Sequence, residues 1–498
     1  MKRFSSLLIL IILWLCVASD AAVADPLTQK EAIRIALERN LAVQSELMKY
    51  QASEAAITEA QGLYDPRLQL LLDAVTSRDA QNSTPATTSE NFASRFNFSL
   101  LQKLSSGAEV VAGINQRRDD NLQTTSAFDP SWRNEFYLSL TQPLLKGFGR
   151  MATEEPILLA AKGRDSTIAT LTEEVTLLVA DLRTLFADLR RAHAILASRR
   201  ASVALAEEIL AENKAKVDAG LLPPLDLLEA EVALKNRQRE LLDAEQSAEE
   251  LLDRLAEQLN LSAPPEIILA GFSPNKLAPA EEADLAYALL HRPELLRAQA
   301  QGESRRLEAT IAEERQRPAL DLLASYGQKG LADDYGQSLE QSLQDDLQNW
   351  SVGLVFNYPL GNRQAVGEAT RKKYLATSAQ RDVERLREVV RRELRTAQRQ
   401  ILLGELRLQV ASDGVRFAAE KLRNLLKRRE VGLTTTRAVF EGETDLARAQ
   451  TDMADAEALY DNAITSYLRA SGRLLDYEGI RFTHDPFLPP SFVSGANH

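Results

Sequence analysis

The sequence contains two copies of one plan. The segment AIRIALERNLAVQ from Ala32 aligns with DLAYALLHRPELL from Asp284, which puts Ala36-Leu37 on Ala288-Leu289. At that offset of 252, Pro66 falls on Pro318, Leu68 on Leu320 and Leu70 on Leu322, without a gap over more than 30 residues. Late in each half, AGLLPPLDLLEAE from Ala219 matches VGLTTTRAVFEGE from Val431. This pairs Gly220 with Gly432, Leu221 with Leu433, Glu229 with Glu441 and Glu231 with Glu443. A duplicated chain must build its architecture from two copies of one unit. The expected order is a leader at 1–24, a first repeat at 25–262, a proline-marked linker at 263–280, a second repeat at 281–477 and a tail at 478–498.

Each repeat reads as a helix, a β segment, a very long helix, a tight break and another long helix. An interior proline costs a helix roughly 3 kcal/mol, and none occurs between Pro156 and Pro223 or between Pro359 and Pro486. Leu171, Val175, Leu178, Leu182, Leu185, Leu189, Ala192, Leu196 and Val203 recur at spacings close to 3 and 4. In the second repeat Leu386, Val390, Leu394, Ala397, Ile401, Gly404, Leu408, Ala411, Val415, Ala418, Leu422 and Leu425 do the same. Sustained spacing of this kind marks coiled-coil packing. At about 1.5 Å per residue, helices of some 65 residues reach on the order of 100 Å.

The β segments carry a different period. Phe96, Phe98 and Leu100 alternate with Asn97 and Ser99, and Phe136, Leu138 and Leu140 with Tyr137, Ser139 and Thr141. Leu320, Leu322 and Ala324 form one strand of the second repeat, and Val352, Leu354 and Phe356 another. Trp132, Tyr137, Tyr326, Trp350 and Tyr358 lie towards strand ends, where an aromatic membrane-interface girdle would sit. Alternating segments of about ten residues suit a barrel whose outer face meets lipid. A soluble sandwich would alternate in the same way.

The first residues favour the membrane. Lys2 and Arg3 precede an apolar run from Leu7 to Leu15 and an Ala22-Val23-Ala24 site, the pattern of a signal peptide cleaved before Asp25. The run is too short for a comfortable anchor. The one cysteine, Cys16, lies in this leader behind Trp14-Leu15, where a lipoprotein would carry small residues, so no thiol chemistry is expected of the mature chain. Net charge is −12, and removing Lys2, Arg3 and Asp20 (net +1) brings it to −13, without the basic footprint of a nucleic-acid binder. Mean hydropathy is −0.24, and no later segment has 18 consecutive apolar residues. An exported chain of this kind enters a membrane only as a β-barrel.

The duplicated half, with LTQKEAIRIALERN after the leader, YDPRLQLLL entering a strand, LTQPLL leaving one and a Gly-Leu break between long helices, resembles the TolC-like outer-membrane efflux proteins over roughly residues 27–476. The resemblance implies an α+β membrane protein of the outer membrane with a large periplasmic part. Its expected form is a homotrimeric 12-stranded β-barrel, about four strands per protomer, continued by a long periplasmic α-helical barrel. It implies no cofactor, and as partners a periplasmic adaptor (membrane fusion) protein, an inner-membrane transporter and outer-membrane lipid. The function it implies is the exit duct of a tripartite efflux or type I secretion system. The rival class is a periplasmic coiled-coil tethering protein without a pore.

On that resemblance, Ala219-Gly220-Leu221 and Val431-Gly432-Leu433 would be the hairpin tips that dock the adaptor. Turning the chain is the plainer role of both glycines. Carboxylates follow each tip: Asp226, Glu229 and Glu231 in the first repeat, Glu441, Glu443 and Asp445 in the second. Three-fold symmetry would turn one inward carboxylate into a cation-favouring ring, whereas an ordinary solvated helix face needs no such role. The family's acidic residue six places after the second tip glycine is here Ala438, while the first repeat keeps Asp226. Residues 77–132 exceed the simplest family pattern and include the hairpin RFNFSLLQKLSSGAEVVAGINQ around Ser105-Ser106-Gly107. That excess either lengthens the extracellular end or adds to the sheet.

No catalytic constellation appears. Gly147-Phe148-Gly149 with Ala152 matches a dinucleotide fingerprint only as a string, because the following helix never returns to a strand as a βαβ unit would. His193, His291, His484 and His498 show no metal-ligand spacing. Glu173-Glu174 and Glu313-Glu314 lie in charge-rich helices and read as solvated faces.

Overall fold

The structure is a computed structural model that describes residues 27–81, 87–121, 127–272, 277, 279–344, 347–483 and 491–494. The expected leader with Cys16, and His484 and His498, lie outside the described residues. The chain divides into two compact units. A helical unit takes residues up to Leu47, Thr170–Leu295 and the chain from Leu386, and a sheet unit takes Met48–Ala169 and Leu296–Arg385.

The first repeat begins with α1 (Gln29–Arg39), capped by Thr28, and α2 (Leu41–Gln61). Strands β1 (Arg67–Gln81), β2 (Thr87–Lys103), β3 (Glu109–Asn121) and β4 (Ser131–Pro143) follow. A single turn α3 (Arg150–Thr153) leads to α4 (Glu155–Asp218) and α5 (Pro224–Gln258). The second repeat runs α6 (Glu281–His291), α7 (Pro293–Glu314), β5 (Ala319–Ala332), the short α8 (Tyr335–Gln341) and β6 (Gln348–Asn357). Helices α9 (Arg363–Glu430) and α10 (Thr436–Ala470) complete it. A turn α11 (Leu474–Tyr477) and the pair β7 (Ile480–Thr483) and β8 (Ser491–Ser494) form the tail.

The repeats break their first helix at the same place. Asn40 and Arg292 take extended ψ values of 125° and 124°. At Arg292 the following Pro293 disfavours the helical region. The long proline-free runs are single helices of 64 and 68 residues, α4 and α9. Their seams are buried as the spacing predicts, through Leu171, Val175, Leu182 and Leu189 in α4 and Val390, Leu394 and Ile401 in α9.

The sheet unit departs from the expected strand count. All six strands lie in one antiparallel sheet in the order β1-β2-β3-β4-β5-β6, where about four were expected. The second repeat has the expected two strands. The first has four, because residues from the 77–132 excess add to the sheet, with β2 and β3 joined at the predicted turn, where Gly107 N donates to Leu104 O at 2.9 Å. Among the described residues, one chain therefore contributes six strands to this sheet, against the four expected per protomer.

Candidate functional site

Both hairpin tips close in one way. Gly220 and Gly432 have φ of +72° and +73°, a region that penalises any residue with a Cβ. Leu221 N donates to Lys216 O and Leu433 N to Arg428 O, each at 2.8 Å. Gly220 N donates to Val217 O at 2.9 Å and Gly432 N to Arg429 O at 3.0 Å. These paired bonds satisfy the last carbonyls of α4 and α9 in Schellman motifs. Nothing lies within 4 Å of a Cβ built on either glycine, so conformation alone demands them. The next residues stand in solvent: Leu221 is 75% and Leu433 74% exposed, and Val431 is also exposed.

Behind the tips the four long helices share one core. Val203, Ala206 and Ile209 of α4 and Ala230 and Leu234 of α5 pack with Leu422 of α9 and Val439 and Phe440 of α10. Buried Asn213 joins the hairpins by donating to Asp226 O at 3.2 Å and to Thr436 Oγ1 at 3.4 Å. Arg429 of α9 forms an ion pair with Glu212 of α4.

The carboxylates separate by environment. Glu229, Glu231 and Glu441 are exposed and Asp226 is half-buried. Glu441 pairs with Arg437 at 3.1 Å and Asp445 with Lys421 at 2.6 Å. Glu443 leaves the set proposed for an entrance constriction. It is only 5% exposed and is bound by Arg237, itself 9% exposed, whose Nε donates to Oε2 at 2.9 Å. An inward-turned carboxylate neutralised by a guanidinium is unavailable to line a passage.

Register sorts the strand residues into two faces. One carries Leu68, Leu70 and Leu72 on β1, Phe96, Phe98 and Leu100 on β2, and Val110, Ala112 and Ile114 on β3. Phe136, Leu138 and Leu140 continue it on β4, Leu320, Leu322, Ala324 and Tyr326 on β5, and Trp350, Val352, Leu354 and Phe356 on β6. The opposite face is mainly polar, with Leu71, Leu323 and Val355 among its apolar residues. There Arg95 binds Asp73 through two hydrogen bonds of 2.9 and 2.7 Å, Lys329 lies 3.4 Å from Glu135, and Ser325 and Ser351 share a bond of 2.8 Å.

Three of the five girdle aromatics, Trp132, Trp350 and Tyr358, lie at strand ends, whereas Tyr326 is mid-strand in β5. Trp132 begins β4, Tyr326 and Trp350 sit side by side at the margin of the apolar window, and Tyr358 follows the end of β6. Tyr137 does not belong with them. It lies mid-strand on the polar face, its ring against Gly113, where an added Cβ would come within 2.6 Å of Tyr137 Cζ. The Gly147–Gly149 string is a strand-to-helix corner, with φ of +83° and +90° and Gly149 N donating to Ser106 O at 3.0 Å.

The sequence profile of outer membrane efflux proteins matches residues 109–261 and 285–473, once in each repeat. The chain belongs to the outer membrane efflux protein family. Solved outer-membrane proteins share its fold. The CmeC channel of Campylobacter jejuni is 12% identical at a TM-score of 0.66, covering 89% of this chain and 85% of that one. The open MtrE channel of Neisseria gonorrhoeae is 14% identical at 0.65, over 89% and 88%. VceC of Vibrio cholerae is 15% identical at 0.64, over 89% and 96%. Curated proteins give no match. Membership makes this an outer-membrane efflux protein and agrees with a transport rather than a catalytic role.

Arg237 and Asn213 carry a sequence signal of their own. Arg237 follows Ala230 and Leu234 at core spacing, and Asn213 follows Ala206 and Ile209. A polar residue on an apolar seam is buried with a partner or is misplaced.

Proposed function

We propose that the protein is the outer-membrane exit duct of a tripartite efflux or type I secretion system, working as a homotrimer. The sheet unit forms the wall in outer-membrane lipid, and the helical unit forms a periplasmic α-helical conduit. An inner-membrane transporter loads the duct through a periplasmic adaptor, so the duct itself consumes no energy.

The observation that carries this reading is the apolar face that runs across all six strands above a mainly polar reverse face. A continuous exposed apolar surface of that extent is a lipid or protein contact, and polar residues opposite it suit a watery lumen. Assembly is supported by apolar residues left uncovered outside the helical seams. Leu403, Leu406, Val410 and Leu459 line a groove between α9 and α10, and α5 exposes Leu225, Leu228, Val232 and Leu242 at spacings of 3, 4 and 10. We assign the α5 stripe of one copy to the α9–α10 groove of the next.

The adaptor is assigned to the tips, at exposed Ala219-Gly220-Leu221 and Val431-Gly432-Leu433. Asp226, Glu229, Glu231 and Glu441 remain as candidates for an acidic entrance, repeated three-fold. Opening is an outward shift of one hairpin, a repacking between two helix arrangements driven by partner contacts. Fractionation of expressing cells tests the reading. The duct stays with the outer membrane until detergent is added and then runs as a trimer, whereas release of a soluble monomer by buffer alone overturns it in favour of a periplasmic tether.

A further inference from the structure

The sheet has two open edges, β1 and β6. Both edge strands carry the apolar face, so their outer N–H and C=O groups lie in the window assigned to lipid. Backbone groups left unpaired there are strongly disfavoured, because lipid offers them no hydrogen-bond partner. We propose that three copies close one continuous 18-stranded barrel, with β6 of each chain pairing antiparallel to β1 of the next. The proposal rests on the trimeric duct reading and specifies its wall.

Three observations support it. First, the extra strands are interior. The repeat equates β1 with β5, through Leu68 on Leu320, and places β4 and β6 alike before Pro143 and Pro359. In the second repeat β5 pairs directly with β6, whereas β1 and β4 have β2 and β3 between them. The offset between repeats also falls from 252 at Leu70/Leu322 to 212 at Gly220/Gly432, which measures an insertion of 40 residues. The inserted hairpin cannot leave the wall without detaching β1 from the sheet. Its residues Phe96, Phe98, Leu100, Val110, Ala112 and Ile114 continue the apolar face without a gap.

Second, six strands alternate so that β6 runs opposite to β1, and copies joined edge to edge remain antiparallel throughout. Third, the apolar window slides steadily. Leu68, the start of the window on β1, is carried by successive pairings through Leu100, Ala112 and Leu138 to Tyr326 and Trp350, yet the window on β6 extends from Trp350 to Phe356. One edge of the window slides six residues over five strand steps and the other four, which at ~3.3 Å per residue and ~4.8 Å between strands is a tilt of about 30–40°. That range overlaps the roughly 35–45° of closed barrels. Aligning the windows of neighbouring copies puts Leu68 within two residues of Phe356.

Barrel diameter grows roughly linearly with strand number, and barrels of about 16–18 strands leave an aqueous channel. The exit is therefore about half as wide again as one of 12 strands. Its lining includes the Asp73–Arg95 and Glu135–Lys329 pairs.

Disulfide trapping in the detergent-purified trimer tests this, in a chain whose one native cysteine is Cys16. Gln69→Cys is combined in turn with Gly353→Cys, Val355→Cys and Asn357→Cys. Separately, the directly opposed pairs Leu71→Cys/Asn97→Cys and Val111→Cys/Ser139→Cys probe the inserted hairpin. The expected result is covalent dimers and trimers from at least one β1–β6 combination, with more than half of the chains linked, and near-complete intrachain bonds for both opposed pairs. A trimer that traps no β1–β6 bond, or that fails to form Val111–Ser139 while remaining trimeric, overturns the 18-stranded wall and leaves the duct reading standing. Loss of the trimer in every variant is judged against the cysteine-free chain. If that chain is monomeric too, the duct reading falls, and the barrel with it.

Discussion

Arg237 of α5 and Glu443 of α10 form an ion pair at 10% and 7% side-chain exposure, with the guanidinium stacked 4.7 Å from the Phe440 ring centroid. The pair joins the two hairpins near their tips, and Arg237 also reaches Ala233 O at 3.2 Å and Phe440 O at 3.4 Å. Removing one member strands a charge in the core, at a cost of about 3–5 kcal/mol, whereas an apolar replacement of both is near neutral. Arg237→Ala or Glu443→Ala is therefore expected to lower the thermal midpoint of the helical unit and speed amide exchange in α5 and α10. Arg237→Met with Glu443→Leu is expected to recover most of the loss.

Gly220→Ala and Gly432→Ala isolate backbone conformation, because the added methyl meets nothing. Holding alanine in the left-handed region costs about 1–2 kcal/mol. Limited proteolysis should show each variant cut faster at its own tip with the helix cores unaffected. Asparagine at the same positions, which tolerates that region, should restore much of the resistance.

Acid sensitivity should arise at the start of α7. Burial tends to raise the Glu294 carboxyl, but hydrogen bonds from Arg292 and its charge more than offset this and hold Glu294 below its ordinary 4.5. Nη2 of Arg292 donates to Oε1 at 2.9 Å, and its Nη1 reaches Glu393 at 2.6 Å. A carboxylate depressed in the folded state stabilises fully above its unfolded pKa, and that contribution is lost as pH falls through the folded value. The thermal midpoint is expected to hold at neutral pH and fall below about pH 4.5. Glu294→Gln should lower the neutral-pH midpoint and flatten the acid limb.

Trp350 is 73% exposed on the apolar face beside Tyr326. In vesicles with brominated acyl chains, its fluorescence should be strongly quenched in a Trp132→Phe background, whereas aqueous iodide should have little effect. Equal quenching by iodide would place that face in water.

Much of this fold was legible in residues. The spacing from Val390 to Ile401 and the proline-free runs predict α9, and the matched Gly-Leu pairs predict both tips. The extra strands also leave a trace there, in the loss of 40 residues between the Leu70/Leu322 and Gly220/Gly432 offsets, but a length difference alone does not say whether the excess joins the sheet or lengthens a loop. Period-2 alternation with Phe136 and Leu138 sends Tyr137 to the face opposite theirs, away from an aromatic girdle. Glu443 was not legible in the same way. Its aligned equivalent Glu231 is exposed, and only tertiary packing brings Arg237, 206 residues away, to its carboxylate.

An exit duct requires this chain to make a water-filled path through the outer membrane. Single-channel recording of the purified trimer in a planar bilayer tests it most directly. Discrete, cation-favouring openings are expected, and neutralising Asp226, Glu229, Glu231 and Glu441 together to Asn and Gln should weaken the preference for cations. A trimer that inserts stably yet never conducts, before or after those substitutions, would contradict it.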